Sequence, residues 1–267
     1  MVARKARIWF QSKAMAFHFI YLRISDVRIG AIYLRSKYAK TNSWRIAQGG
    51  RRPETDTMTN ATRWWDKIAE KYSNQPIADV EAWEHKLGKI REYGSSAARV
   101  LEFGCGTGGN ARRVAGSVGS ILATDISGEM LRIAEDRGRA EGIDNITYQQ
   151  ADFASLEAAE GSFDMVLGMS ILHLLDDRRA AMDKARALLK PGGVFITSTA
   201  CLLDGYWFMV PILPIGRLFG AFPPVKAFSG DRLRREIAAA GFEIDYDWRP
   251  KASGALFIVA RKPAAAV

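Results

Sequence analysis

Short apolar runs alternate with amphipathic stretches from residue 62 to residue 262. Trp64, Trp65, Ile68, Ala69 and Tyr72 recur at helical spacing, with Thr62 in position to cap that helix. Pro76 interrupts the pattern, and Val80 to Tyr93 resumes it with Trp83, Leu87 and Ile90 on one side. Val100, Leu101 and Phe103 then form a run suited to a buried parallel strand. Ile121 to Ala123, Ile146 to Gln149, Phe163 to Leu167 and Val194 to Thr199 repeat the theme. Between them fall helical patterns that open at Asn110, run from Glu129 to Ala140, and run from Asp176 to Leu189. Ser127 is placed to cap the second, and Gly142 to stop it. Lys190-Pro191-Gly192-Gly193 reads as a sharp turn into the fifth strand. After a last helix, Asp231 to Ala240, two alternating stretches, Phe242 to Trp248 and Ala255 to Ala260, read as a strand pair. Strand–helix alternation followed by a hairpin predicts a doubly wound, three-layer α/β/α fold with a mostly parallel sheet. A dinucleotide-binding sheet would instead continue with parallel βα units.

Two stretches stand outside this pattern. Residues 1–57 have aromatics but no sustained period, and their 12 Lys+Arg against 3 acids account for the whole net charge of +9. Residues 58–267 are therefore neutral, so the charge makes no case there for a polyanionic partner, and nucleic acid is not expected as one. We read residues 1–57 as an extension outside the native product, with Met58 the true start. A basic arm for membrane or RNA, and a transit peptide, are the other readings. The second stretch, residues 201–225, is apolar and aromatic but interrupted by Asp204, Arg217 and four prolines. That argues against a membrane span. A cover over an apolar or amphiphilic ligand, extra core packing, a dimer face and a shallow membrane contact all fit it. Two cysteines, Cys105 and Cys201, make no disulfide framework, which suits a reducing, cytoplasmic compartment. His18, His85 and His173 are far apart and lack zinc-ligand spacing, so no metal is expected.

The candidate chemistry lies between Arg99 and Asp125. Gly104, Gly106 and Gly108 follow the first strand at once, with Cys105 inside the turn. Glycines there let the chain turn sharply and let a ligand lie against the backbone. Their spacing is G-x-G-x-G, and Glu102 stands two residues before the first. A carboxylate in that place repels a pyrophosphate and suits an ammonium group. Asp125 ends the second strand, close to the roughly 20 residues expected between such a loop and a ribose-binding acid. An acid stabilised by the following helix dipole is the plainer reading of Asp125.

An acid followed by GxGxG at the end of strand one resembles the first motif of the class I S-adenosylmethionine (SAM)-dependent methyltransferases. Other stretches resemble that family in order: WWDKIAEKYS, the acid after strand three, FDMVLGMSILHLL, LLKPGG before strand five, and the closing hairpin. The resemblance covers Thr62 to Lys262 and is to the small-molecule type, similar to enzymes of ubiquinone and menaquinone biosynthesis. It implies a Rossmann-like methyltransferase fold and SAM as cofactor. It also implies a small acceptor, with a cover at residues 201–225 in a domain spanning 58–267. Glu102, Gly104, Gly106 and Gly108 would hold the methionine portion, with Tyr72 reaching it from the first helix and Cys105 among the cofactor contacts. Asp125 would take the ribose, and Asp152 with Phe153 the adenine. Ile126, Met130 and Met169 complete the implied cofactor contacts. Packing is the alternative for Tyr72, and turn capping for Asp152. His173, in the loop after strand four, is the candidate proton acceptor; orienting that loop is its alternative role. A nicotinamide-dependent oxidoreductase and a non-catalytic nucleotide- or RNA-binding module are the competing functional readings.

Overall fold

In the computed structural model the described residues are 60–211, 213, 223, 225–251 and 254–264. All lie in the second of the two units into which the chain divides, Met58–Val267. The expectations placed on residues 1–57, and on much of 212–224, fall outside the described residues.

Among the described residues two helices precede the sheet: α1 (Asn60–Ser73) and α2 (Val80–Glu92). Then come β1 (Arg99–Phe103), the short α3 (Gly109–Val114), β2 (Ser120–Asp125), α4 (Gly128–Ala140), β3 (Ile146–Gln150) and β4 (Phe163–Met169). After these come α5 (Arg178–Leu188), β5 (Leu189–Thr199), α6 (Gly230–Ala239), β6 (Glu243–Trp248) and β7 (Leu256–Arg261). The strands form one sheet in the order β3-β2-β1-β4-β5-β7-β6. The pairs from β3 through β5 are parallel, and β7 runs antiparallel to both β5 and β6. This is the mostly parallel sheet with a closing hairpin that the alternation predicts.

The layers follow from side-chain alternation along the strands. Leu101, Phe103 and Phe195 point to one face and are buried with Met182 and Ala185 of α5 and Leu233 and Ile237 of α6. Val100, Met165, Leu167 and Ile196 point to the other and are buried with Leu87 and Ile90 of α2 and Leu131 of α4. α1 docks on α4 through a smaller cluster of Ala69, Met130 and Ile133. No helix of the described residues is long and apolar enough to cross a membrane.

Three boundaries differ from the pattern. α1 begins at Asn60, so Thr62 lies inside its first turn, buried, and is not the cap. α5 begins at Arg178, because the Asp177 side chain accepts a hydrogen bond from the Ala180 N–H and closes the helix there. Lys190–Gly193 is an irregular opening of β5 rather than a separate turn: Leu189 already pairs with Phe163 of β4, and the register shifts before Met165. The Gly192 N–H donates to the Lys262 carbonyl, and the Lys262 N–H to the Gly193 carbonyl, so both sides of the stretch are paired.

Candidate active site

The carboxyl ends of β1, β2, β3 and β4 meet at one edge of the sheet, where open α/β sheets bind ligands. Each glycine of the first turn has a left-handed backbone, with φ of +64°, +54° and +70° at Gly104, Gly106 and Gly108. They serve different needs. A Cβ on Gly104 would lie 2.7 Å from Ile171 Cδ1, and one on Gly108 2.9 Å from Ala134 Cβ. Those two let the turn pack against the loop after β4 and against α4. A Cβ on Gly106 would meet nothing nearer than Tyr72 Cε1, at 3.9 Å. Gly106 thus faces open space beneath the Tyr72 ring.

Glu102 is fully buried beside this turn. The Asn110 side-chain amide donates to its Oε1 at 3.0 Å, and Trp83 Nε1 donates in turn to Asn110 Oδ1 at 3.0 Å. Oε2 is buried without a partner. Burial raises the carboxyl from its ordinary 4.5 to about 7, against the opposing pull of Asn110 and the Ala111 N–H. An orphaned, desolvated carboxylate oxygen beside an open turn is an unmet demand for a donor or cation. A pyrophosphate would worsen that demand.

Asp125 ties the turn to α4. Its Oδ2 accepts from the Gly106 N–H and its Oδ1 from the Ser127 N–H, both at 2.9 Å. Each carboxylate oxygen retains a further lone pair for a ligand hydroxyl. Burial raises its pKa, opposed by these backbone bonds. Burial also raises the Tyr72 pKa, and the charges of Asp125 and Glu102 add to the rise, which reflects how near the three groups lie. The Cys105 thiol is buried and pushed well up by that burial.

The other expected residues make the following contacts. Met130 is buried in the cluster between α1 and α4, and Ile126 offers its carbonyl to Gln150 Nε2. The Ala151 N–H donates to the Asp125 carbonyl, which fixes the start of the Asp152 loop. Asp152 Oδ1 accepts from the Ala154 N–H at 3.0 Å. Phe153 is buried and stacks on Phe103, ring centroids 3.9 Å apart, so it anchors that loop to the core. Met169 ends β4 in the core layer under α2.

The next residue, Ser170, is a non-glycine at φ +58°, and its N–H donates to the Ser198 carbonyl. Backbone strain of this kind is stored where a loop must be held in one place. His173 follows in that loop. Its Nδ1 is buried without a partner, and burial lowers its pKa to about 4. The imidazole is neutral at neutral pH, and one of its nitrogens can accept a hydrogen bond. In the residues that follow β5, Asp204 accepts from the Gly230 N–H and from Arg249 Nη2, which ties that stretch to the start of α6. Trp207 stands 69% exposed there.

Sequence patterns missed two groups. Asp66 of α1 accepts from Ser127 Oγ at 2.6 Å and from the Glu129 N–H at 3.3 Å, which latches α1 over the start of α4. Asn110 and Trp83 orient Glu102. Each is an ordinary polar or aromatic residue in its helix, and only the fold brings it to its partner.

Residues 100–193 match the profile of a methyltransferase domain. A ubiquinone biosynthesis O-methyltransferase of Xanthomonas euvesicatoria pv. vesicatoria is 32% identical over 171 residues, 58% of this chain and 67% of that protein. An arsenite methyltransferase of Aquipseudomonas alcaligenes is 30% identical over 130 residues, 45% of this chain and 38% of its own length. Among solved structures, a SAM-dependent methyltransferase from Aquifex aeolicus superposes with a TM-score of 0.57 at 14% identity, over 74% of this chain and 98% of that one. The [4+2]-cyclase SpnF superposes equally well, 0.57 at 20% identity, over 67% of this chain and 80% of that one. At such identities the fold alone is shared.

Proposed function

The chain belongs to the class I SAM-dependent methyltransferases and uses SAM, and we propose that its acceptor is a small, apolar or amphiphilic molecule. The observation that carries the cofactor reading onto particular residues is the buried, half-partnered carboxylate of Glu102 beside the open face of Gly106. That arrangement fits an amino-acid ammonium and no phosphate.

Glu102 would accept from the ammonium of the methionine portion, with Tyr72 closing over it. Gly106 would let that portion lie against the turn. Asp125 would accept from the ribose hydroxyls through its remaining lone pairs. Asp152 would accept from the adenine amino group, on a loop anchored by Phe153. SAM supplies a methyl carbon on a positively charged sulfur, open to attack by a lone pair. The chain's part is then to hold the acceptor in line and keep water out. His173 would accept a hydrogen bond from an acceptor hydroxyl and orient it. At a pKa of about 4 it is a weak base, so orientation rather than proton removal is its contribution. Residues 201–225 would cover the acceptor, and residues 58–267 would form the catalytic domain. The relatives named for ubiquinone biosynthesis favour a phenol or quinol acceptor.

Asp125→Ala is expected to weaken binding of S-adenosylhomocysteine, the demethylated cofactor, by about 1.5–3 kcal/mol, as for hydrogen bonds to a charged group. Calorimetry reads this directly, and unchanged affinity would remove Asp125 from the site. A proton NMR titration of His173 should give an apparent pKa near 4; an ordinary value near 6.5 would show that the ring is not desolvated. For the acceptor, matched catechols with and without an alkyl chain should differ in KM, the alkylated one lower. Equal values would count against an apolar cover.

A further inference from the structure

α2 departs from its own pattern at one position. Trp83, Leu87 and Ile90 recur at the spacing of an inward face, and Lys86 stands within that stripe, three residues after Trp83 and four before Ile90. A charged residue at an inward position conflicts with packing, and such conflicts concentrate at functional sites. Lys86 Nζ donates to Ser198 Oγ at 3.0 Å. Among the described residues no carboxylate lies within ion-pair range of it; the acid whose charge it feels, Asp79, is already used to cap α2 through Ala82. Burial lowers its pKa. An ammonium has three donors, and one is accounted for.

Ser198 fixes where this cation sits. It pairs with Met169 in the β4–β5 register, at the ligand-binding edge of the sheet. Val194 and Ile196 lie in the layer under α2 with Met169, so by alternation Ser198 shares that face, as Glu102 does through Val100. Glu102 pairs with Leu167, and Leu167 with Ile196. Ser198 is therefore two strands across from Glu102 and two residues further along, an offset of about 12 Å between their Cα positions. That displacement across the sheet, away from the glycine turn, favours a group on the acceptor side of the cofactor over the cofactor's own carboxylate.

We propose that Lys86, held by Ser198 at the carboxyl edge of β5, seats a carboxylate carried by the methyl acceptor. A ligand carboxylate would satisfy the spare donors and neutralise the charge at once. This rests on the cofactor reading above and adds the charge of the acceptor to it.

The test uses the full chain saturated with S-adenosylhomocysteine and titrated with 3,4-dihydroxybenzoate or 3,4-dihydroxybenzamide, which match in shape and differ in charge. The acid is expected to bind at least about tenfold more tightly, the difference made by a hydrogen-bonded charge. That preference should vanish in Lys86→Met, shrink in Ser198→Ala and survive in part in Lys86→Arg. S-adenosylhomocysteine affinity and thermal melting are measured first on each variant. If Lys86→Met does not fold, Lys86→Gln and Ser198→Ala carry the same comparison. Equal binding of acid and amide, or a preference that survives Lys86→Met, overturns the proposal while leaving the cofactor site intact. Loss of S-adenosylhomocysteine affinity in a folded Lys86→Met assigns the seat to the cofactor's own carboxylate and overturns it too. A wild-type protein that ignores S-adenosylhomocysteine would overturn the cofactor reading and this inference with it.

Discussion

Replacing Glu102 by Gln is expected to weaken S-adenosylhomocysteine binding by about 2–4 kcal/mol, roughly 30- to 1000-fold, the cost of removing one partner of a buried charge pair. Gln keeps the shape and can still accept from Asn110, so the loss isolates the charge. The same carboxyl makes a pH signature. Its pKa in the fold, about 7, lies above the ordinary 4.5, so the empty protein favours the protonated form. For an acid shifted this way, the contribution to stability is fully present below 4.5 and is lost as pH rises through 7. A bound ammonium pulls the opposite way and favours the carboxylate. Cofactor binding near neutral pH must therefore release a proton, and affinity should climb as pH rises toward 7 and level off above it. Calorimetry in two buffers of different ionisation heat counts the proton. In Glu102→Gln the profile should be flat. A flat profile in the wild type, or full affinity in the Gln variant, would show that Glu102 faces no cation.

Gly106→Val is expected to abolish measurable cofactor binding, at least about a hundredfold, while Gly142→Val leaves it intact. Both glycines have a left-handed backbone, φ +54° and +69°, and neither has a neighbour within 3.5 Å of an added Cβ. Each substitution thus carries a similar backbone cost, about 1–2 kcal/mol or somewhat more for a β-branched residue. What separates them is location. The Gly106 side chain would enter the space beneath Tyr72, whereas Gly142 follows α4 and borders open space. Thermal melting should show comparable losses and ligand titration should not. If the two variants bind equally, the open face of Gly106 is not where the cofactor lies.

The order of elements was legible because each strand is a short apolar run between glycines and caps, and each helix carries a stripe of apolar residues. Ser127 capping Met130 and Gly142 closing α4 follow from local chemistry alone. Misplaced boundaries arose where one of two adjacent acids took the cap, as Asp177 does at α5, or where partner strands fixed an irregular segment, as at Lys190–Gly193. Phe153 shows what packing adds to the sequence reading. Position after β3 marks the loop, but packing turns the ring onto Phe103.

The chain's linear pattern determined the fold class, the glycine turn with Glu102 before it, and Asp125 at the end of β2, because those depend on residue type and local spacing. Tertiary structure decided which glycine borders open space and that Glu102 keeps an unpartnered oxygen. It also set Asp66 and Lys86 at the edges of the site. Those facts rest on groups tens of residues apart, Ser198 with Lys86 and Trp83 with Asn110, whose approach is fixed by sheet register and helix docking, which no local pattern encodes.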